Sequence, residues 1–470
     1  MSLLPEQPLS PLDGRYRATV SGLGEWLSEA GLNRARLKVE VEWLIYLTDH
    51  ELLGSRRLDA EQVRALRLFV TDFGQAEIDE LAAIERTTRH DVKAVEYLVR
   101  QKLSTLGLTG VAELTHFACT SEDINNLAYA ITIGQAVREI WLPKLRSVIA
   151  ALHERALKHR ADAMLAHTHG QPATPTTVGK EFAVFVRRLE RIASRIEATE
   201  YLGKFSGATG TFAAHVAADS SLDWPAISRE FVTSLGLGWN PLTTQIEPHD
   251  WQAELYQAVS HANRVLHNLC TDLWTYISMG YFSQIPQAGV TGSSTMPHKI
   301  NPIRFENAEA NLELSSALLD SLAQTLVTSR LQRDLTDSTT QRNIGVAFGH
   351  SLLAIDNIER GLGEVELDRS RLDADLNANW EVLGEAIQTV IRAEVTAGRS
   401  SIADPYELLK KLTRGKRIGQ ADLLRFIDTL DIGEEAKARL RTLTPARYVG
   451  LASELVEFAA PVTDRTDRAH

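Results

Sequence analysis

The sequence is poor in several features that mark particular classes of protein. Only two of its 470 residues are cysteines, Cys119 and Cys270, so no disulfide framework is predicted and a reducing compartment suits the chain. Positive charge is not in excess either, because the net charge is −11. A nucleic-acid binder needs a basic face to displace counterions from phosphates. We therefore expect no disulfides and no nucleic-acid partner.

Long apolar runs are also missing. The sequence contains no uninterrupted apolar segment of about 18 residues, the length that can span a bilayer. Residues 1–16 lack the basic start and the continuous apolar stretch of a signal peptide. We therefore expect a cytoplasmic protein with no membrane partner.

Proline is scarce, at 15 residues of 470, and this leaves room for long helices. Apolar residues recur at steps of three or four, as on one face of a helix, along five segments: 127–152, 182–196, 255–277, 312–326 and 352–362. Pro143 predicts a kink or break in the first segment. We predict an all-α fold with an N-terminal helical domain (1–112), a central bundle of long helices (113–364) and a C-terminal helical domain (365–470).

Six polar segments interrupt this periodicity and are candidate sites for chemistry: 10–16, 85–97, 115–130, 167–181, 291–302 and 329–343. Most have a structural alternative. The first can be a turn at Asp13-Gly14, the second a helix capped by Thr87 or Thr88, and the third a capping box of Thr120 with Asp123. The last combines arginines with hydroxyls, which suits a phosphate or a dicarboxylate but also a solvated helix face.

The segment 167–181 begins with two histidines, His167 and His169. A metal site is not predicted there, because no cysteine or carboxylate lies at ligand spacing. The turn Gly170-Gln171-Pro172 instead predicts that His169 is held beside a helix start, as a general acid or base requires.

The segment 291–302 reads TGSSTMPHKINP and offers little to bury. Asn301-Pro302 predicts the start of a helix, and the glycines upstream predict a mobile lid over 285–300. A serine there becomes basic when Lys299 and backbone N–H groups stabilise its alkoxide. The predicted chemistry is removal of a proton next to a carboxylate, with a leaving group expelled from the neighbouring carbon.

Several motifs together resemble the fumarase/aspartase superfamily. GSSTMPHKINP is similar to the signature loop of that superfamily, and THGQPATPTTVGKE is typical of its adenylosuccinate lyase branch. DGRY, ERTTRHDVKAVEY, HFACTSEDINNLA, TTQIEPHD and RDLTDSTTQRN also resemble the longer bacterial form, over about residues 10–455. The resemblance implies a homotetramer with a core of twenty long helices, active sites drawing on three subunits, and no metal or organic cofactor.

The same resemblance implies elimination of fumarate from adenylosuccinate, giving AMP, and from SAICAR, giving AICAR, in purine biosynthesis. It assigns Ser293 as the base and His169 as the acid, with Lys299 stabilising the intermediate. His90 is a further catalytic candidate. Expected substrate-binding residues are Arg15, Tyr16, Arg89, His90, Asp91, Thr120, Ser121, Gln245, Ser294, Lys299, Asn301, Asn307, Arg333, Ser338, Thr339 and Arg342.

Two positions depart from the family pattern, Arg304 and Arg89, where an acidic residue and an asparagine are common. The choice of Ser293 over Ser294 as base rests on the analogy, and the choice of His169 over His90 as acid rests partly on it. The alternatives are another lyase or cycloisomerase of the superfamily, such as argininosuccinate lyase or carboxymuconate cycloisomerase, and a non-catalytic scaffold. The scaffold is disfavoured because the acid, the base and the lysine are all present.

Overall fold

Helices built on the predicted apolar stripes make up most of the chain in a computed structural model, which describes residues 8–286, 296, 299–413 and 418–459. The first ten α-helices are α1 (Arg17–Leu27), α2 (Glu29–Asp49), α3 (Ala60–Thr71), α4 (Gln75–Thr88), α5 (Asp91–Thr105), α6 (Ser121–Ala136), α7 (Leu142–Lys158), α8 (Val178–Glu197), α9 (Ala213–Ala218) and α10 (Trp224–Ser234). They are followed by α11 (Asp250–Ser278), α12 (Ile303–Leu326), α13 (Thr336–Gln341), α14 (Ile344–Gly363), α15 (Arg369–Ala378), α16 (Gly384–Thr396), α17 (Pro405–Thr413), α18 (Gln420–Thr429), α19 (Glu434–Arg441) and α20 (Ala452–Leu455). The predicted all-α class is confirmed.

All five apolar stripes lie on helices, because residues three and four apart share a helix face. The stripe 127–152 runs along α6 and α7, and the other four follow α8, α11, α12 and α14. Between α6 and α7 the segment Val137–Trp141 is a π-helix that ends two residues before Pro143. Proline has no N–H to continue the ladder, so the predicted irregularity takes the form of a π-bulge.

The few strands pair into three two-stranded sheets among the described residues. The strands are β1 (Ala163–Thr168), β2 (Gln171–Thr177), β3 (Leu202–Gly203), β4 (Gly238–Trp239), β5 (Phe282–Gln284) and β6 (Val365–Leu367). The pairs β1–β2 and β5–β6 are antiparallel, and β3–β4 is parallel. The longest sheet, β1–β2, carries His169 in its turn.

The chain divides into two compact units. Unit 1 comprises Met1–Leu145, Ile192–His267 and Ala308–Asp356, and unit 2 comprises Arg146–Arg191, Asn268–Asn307 and Asn357–His470. This grouping follows proximity in space, and the predicted domain boundaries at residues 112 and 364 remain a prediction. No helix among the described residues is long and apolar enough to cross a membrane.

Each unit contains an apolar core cluster close to one end of the chain. In unit 1 the cluster joins α2, α3, α4 and α5 through fully buried residues such as Leu37, Leu66 and Val95. In unit 2 it joins α16, α17, α18 and α19 through residues such as Ile391 and Ile427. Burying one such side chain stabilises the fold by about 1.5–3 kcal/mol, so each cluster holds its own helices together.

Candidate active site

The start of α6 is tied to the loop 204–210 by one buried carboxylate. Asp123 accepts hydrogen bonds from the backbone N–H groups of Thr120 (2.8 Å) and Ser206 (2.9 Å) and contacts Lys204 Nζ at 2.8 Å. The bond from Thr120 is the carboxylate half of the predicted capping box. Both charged side chains of the Asp123–Lys204 pair are fully buried. The pair therefore fixes where Thr120 and Ser121 lie.

Replacing Asp123 by asparagine is expected to lower the free energy of unfolding by about 3 kcal/mol, because it leaves the buried Lys204 ammonium without its counter-charge. Denaturant unfolding measures this loss. The exposed pair Arg264–Asp320 provides the control, since Asp320→Asn is expected to change the free energy by less than about 1 kcal/mol. Equal effects of the two substitutions would contradict the assigned role.

An open pocket of about 460 Å³ lies in unit 1, beside the loop 204–210. We call it the arginine pocket, and it is lined by Ala208, Thr209, Gln245, Leu331, Gln332, Arg333, Asp334 and Leu335. Arg333 Nη1 donates to Gln245 Oε1 (3.1 Å), and Gln245 Nε2 donates to the Ala208 carbonyl (2.8 Å). The pocket thus holds a fixed guanidinium and a fixed amide, two donors suited to an anionic, hydrogen-bonding ligand. Its size is that of a small-molecule site.

A second arginine of the predicted set, Arg342, lies against Asp91. Arg342 Nη2 is 3.1 Å and Arg36 Nη2 is 2.9 Å from Asp91 Oδ2, and Arg342 also pairs with Glu29. Burial raises the pKa of Asp91, but Arg36, the backbone N–H of Val92 and Arg342 outweigh it and lower the pKa below its usual range. Asp91 is therefore an anion that orients Arg342.

The start of α5 differs from the expected arrangement. The prediction that Thr87 or Thr88 caps this helix is wrong, because both residues lie in the last turn of α4. The cap is His90, whose Nδ1 accepts from the N–H of Lys93 (3.2 Å). Its Nε2 then carries the proton in the neutral ring, and the side chain is exposed. Arg89, at φ 51°, is the exposed residue that reverses the chain between α4 and α5.

The remaining predicted residues of unit 1 lie at helix starts. Arg15 and Tyr16 precede α1, with the Arg15 guanidinium 5.8 Å from the centre of the Tyr16 ring. Ser338 and Thr339 lie in α13, where the Ser338 N–H donates to Asp337 Oδ1 (2.7 Å). Thr339 is exposed.

In unit 2, His169 occupies a β-hairpin turn. The expected position beside a helix start is wrong, because α8 begins only at Val178. His169 (φ 53°) and Gly170 (φ 73°) form the two-residue turn between the paired residues Thr168 and Gln171. Positive φ at both central residues matches the right-handed twist of the strands. The turn presents the exposed imidazole at the hairpin tip.

The other predicted residues of unit 2 lie in or before α12. Ser293 and Ser294 lie outside the described residues, together with most of the predicted lid. Lys299 is exposed, and its N–H donates to the Met296 carbonyl (3.1 Å). The helix predicted at Asn301-Pro302 begins at Ile303, with Pro302 accepting its first backbone bonds. Asn307 Oδ1 accepts from Asn357 Nδ2 (3.0 Å).

Two further features of the sequence find an explanation. Arg304, a departure from the family pattern, pairs with both oxygens of Glu364 and donates to Asn357. Its charge is therefore matched locally. Cys119 shows no sign of a nucleophile, because burial raises its thiol pKa well above the usual range.

Sequence reasoning missed a group of three buried side chains, which we call the buried cluster: Glu122, His249 and Asp337. One nitrogen or oxygen from each lies within 4.8 Å of the others, so of the described residues these are the ones with the spacing to hold a cation. Burial raises the pKa of Glu122 to about 7, although nearby Arg333 opposes this. The signal that could have found Glu122 is an acidic side chain directly after Thr120-Ser121, which capping alone explained equally well.

The raised pKa of Glu122 predicts a pH-dependent stability. The carboxyl binds its proton more tightly in the folded chain (pKa about 7) than when exposed (4.5), so its contribution to stability falls as pH rises between these values. The loss amounts to about 3 kcal/mol. In Glu122→Gln this slope is expected to disappear. The Tm of the variant minus that of the unmodified chain should therefore increase from pH 5 to pH 7 and level off above it; a constant difference would contradict the pKa.

Comparison with known proteins adds independent evidence. The family described as "Lyase" matches residues 14–313, and the family described as "Adenylosuccinate lyase C-terminal" matches residues 329–449. The adenylosuccinate lyase of Escherichia coli (strain K12) is 47% identical over 459 residues, covering 97% of this chain and 99% of that protein. That of Haemophilus influenzae is equally similar over the same shares, and that of Vibrio cholerae is 46% identical, covering 97% and 100%.

Solved structures agree in fold. A fumarate lyase from Mesorhizobium sp. BNC1 superposes with a TM-score of 0.72 at 20% identity, covering 93% of this chain and 97% of that one. The 3-carboxy-cis,cis-muconate lactonizing enzyme from Pseudomonas putida gives 0.71 at 20% identity, covering 94% and 97%. At this identity the likeness concerns the fold, whereas the near-complete coverage at 46–47% concerns the whole chain. The chain belongs to the adenylosuccinate lyase family.

Proposed function

We propose that the chain is a carbon–nitrogen lyase that eliminates fumarate from adenylosuccinate, giving AMP, and from SAICAR, giving AICAR, in purine nucleotide biosynthesis. The observation that carries the proposal is the arginine pocket, in a chain 47% identical to adenylosuccinate lyases over almost its whole length. Arg333 donates a hydrogen bond to Gln245, which donates in turn to the Ala208 carbonyl, and side chains fixed in this way suit an anionic nucleotide substrate.

In this mechanism the substrate's own carboxylate accepts the electrons. Ser293, as its alkoxide, takes a proton from the methylene carbon of the succinyl arm and becomes a neutral hydroxyl, and the charge moves onto the adjacent carboxylate, where Lys299 stabilises it. The bond from the neighbouring carbon to nitrogen then breaks, and His169 gives the departing nitrogen a proton. Carbon–hydrogen and carbon–nitrogen bonds are lost and one carbon–carbon double bond forms, so the products are fumarate and the amine.

The unit 1 residues have the character of a binding surface in this scheme. Thr120, Ser121 and Gln245 orient the succinyl group and the base, while in unit 2 Asn301 assists Lys299. Phosphate and ribose are bound by the cationic and hydroxyl side chains Arg15, Tyr16, Arg333, Ser338 and Arg342, with Arg89, His90 and Asp91 nearby. Asp91 supports this role because it anchors Arg342 while leaving the cation partly exposed.

We also propose that the chain acts as a cytoplasmic homotetramer. Light scattering with size-exclusion chromatography should give a mass four times the 52.1 kDa of one chain. A monomer or dimer at micromolar concentration would contradict this assembly.

Substrate choice is tested by giving the purified protein adenylosuccinate, argininosuccinate and carboxymuconate in parallel and identifying the products by chromatography. Adenylosuccinate is expected to be consumed, and the other two to remain unchanged. Turnover of argininosuccinate or carboxymuconate without adenylosuccinate turnover would assign the chain to one of the rival activities. Absence of turnover with all three would support a non-catalytic scaffold.

A further inference from the structure

The buried cluster has polar atoms that the surrounding protein does not satisfy. Glu122, His249 and Asp337 are 2%, 1% and 7% exposed. Glu122 Oε1, His249 Nε2 and Asp337 Oδ2 have no hydrogen-bond partner within the described part of the chain, although the last two approach to 3.5 Å. Burying a polar atom without a hydrogen-bond partner costs free energy of folding. Packing alone therefore does not explain why three such atoms lie together.

The hydrogen bonds around His249 indicate which nitrogen carries its proton. The Tyr256 hydroxyl donates to Gln252 Oε1 (3.0 Å), which turns the Gln252 amide nitrogen towards His249 Nδ1 and Gln341 Oε1, both at 3.3 Å. A donor facing Nδ1 makes it the acceptor, so Nε2 bears the proton. A protonated nitrogen cannot ligate a cation. Instead, Nε2–H faces the Asp337 carboxylate.

His249 is also held in a costly backbone conformation. Its φ is 62°, in the left-handed region that non-glycine residues rarely adopt. Glu247 contributes by accepting the His249 N–H (2.8 Å). Strain of this kind persists where the surroundings over-determine it, and here it directs the ring into the cluster.

One side of the cluster reaches the arginine pocket through the ion pair of Glu122 with Arg333. Glu122 Oε2 lies 3.4 Å from Arg333 Nη2, while Nη1 of the same guanidinium donates to Gln245. The Arg333 side chain is 18% exposed, so the guanidinium lies between a buried carboxylate and the pocket. Of its two terminal nitrogens, one is directed by Glu122 and the other by Gln245.

We propose that Glu122 is a positioning residue for the arginine pocket: from its buried place beside Arg333, it aims the guanidinium of Arg333 at an anionic group of the substrate. This inference rests on the proposed function, because it takes the ligand to be an anionic nucleotide. Glu122 itself does not touch the ligand. It acts through Arg333, and its loss therefore weakens binding without removing a group from the chemical step.

The test is a double-mutant cycle of Glu122→Gln and Arg333→Ala, read out as KM and kcat for adenylosuccinate and as Kd for AMP by calorimetry. Glu122→Gln keeps the size of the side chain and, when assayed at about pH 8, where a carboxyl with a pKa of about 7 is mostly ionised, removes its charge. We expect it to raise KM and Kd about 10-fold, the scale of one hydrogen bond to a charged group, and to change kcat less than about twofold. In the Arg333→Ala background the same substitution is expected to change KM and Kd less than about twofold.

The matched control is Glu40→Gln. Glu40 is equally buried but accepts from the backbone N–H of His116 and does not contact Arg333, so KM should stay within about twofold. If Glu122→Gln does not fold, Glu122→Asp is the second variant: it keeps the charge but withdraws the carboxylate from Arg333, and it is expected to raise KM in the same direction.

Three results would overturn the proposal. The first is an equal rise in KM and Kd with and without Arg333, and the second is no rise at all. The third is one divalent cation per chain in the purified protein, lost in Glu122→Gln, because the cluster would then be a metal site. Failure of the proposed function is distinguishable, since the unmodified chain would then not turn over adenylosuccinate while the AMP affinities would still report on Glu122.

Discussion

Replacing His169 with alanine is expected to lower kcat for adenylosuccinate by at least about 100-fold, the usual scale for a general acid. The departing nitrogen leaves poorly as an anion, and the imidazole supplies the proton that makes it a neutral amine. Because His169 is exposed at the tip of the β1–β2 hairpin, its removal leaves no cavity and the fold should be unaffected. Fixed-time assays measure kcat, and unfolding curves of the variant and the unmodified chain compare the stability of the fold.

The hairpin also supplies the control for this experiment. His167 lies in β1, two residues before His169, and is likewise exposed. His167→Ala should retain kcat within about threefold if only the turn residue donates the proton. Near-normal turnover in His169→Ala would contradict its role as the acid, and a matching loss in His90→Ala would transfer that role to His90.

Replacing Ser293 with alanine is expected to lower kcat at least about 100-fold as well, because the methylene proton then has no base. Substrate binding should be largely retained, since the hydroxyl acts on the reacting carbon and not on the phosphate. The result to measure is therefore a fall in kcat with KM changed only a few-fold.

Ser294 is the natural control, because it differs from Ser293 only by its place in the loop. Ser294→Ala is expected to affect KM more than kcat, as a substrate-binding residue does. If Ser294→Ala abolishes turnover and Ser293→Ala does not, the two assignments exchange. If neither variant loses activity, a hydroxyl of this loop is not the base.

The helices were predictable from the sequence because their signal is local. A buried helix face repeats every three or four residues, and the stripe in 255–277 is complete enough to give α11 almost to its ends. The irregularity near Pro143 was also predictable, because a proline disturbs the hydrogen bonds of its own turn of helix. The exact form of that irregularity, a π-bulge, depends on how neighbouring helices hold the backbone.

The β1–β2 hairpin was missed for a physical reason. Its second strand, QPATPTT, contains two prolines that argue against a central strand, yet a two-stranded sheet consists of edges and tolerates them. Its turn is His169-Gly170, whereas asparagine or aspartate before glycine is the usual signal. The polar composition therefore indicated a loop leading to a helix.

The sequence allowed the site residues to be proposed one by one, but it did not predict which of them contact each other. Nothing in the sequence shows that Arg333 meets Gln245, or that Arg342 meets Asp91, because these contacts depend on how distant segments pack. The buried cluster was missed for the same reason. Glu122 has a sufficient local explanation at a helix start, and only folding brings His249 and Asp337 to it.

The central claim is elimination of fumarate, and its most direct measurement is the product balance from adenylosuccinate followed by NMR. AMP and fumarate are expected to appear in equal amounts as adenylosuccinate disappears, without any added metal or cofactor. Release of aspartate instead of fumarate would indicate hydrolysis, and no conversion at all would indicate another substrate. Either result would contradict elimination of fumarate as the reaction of this chain.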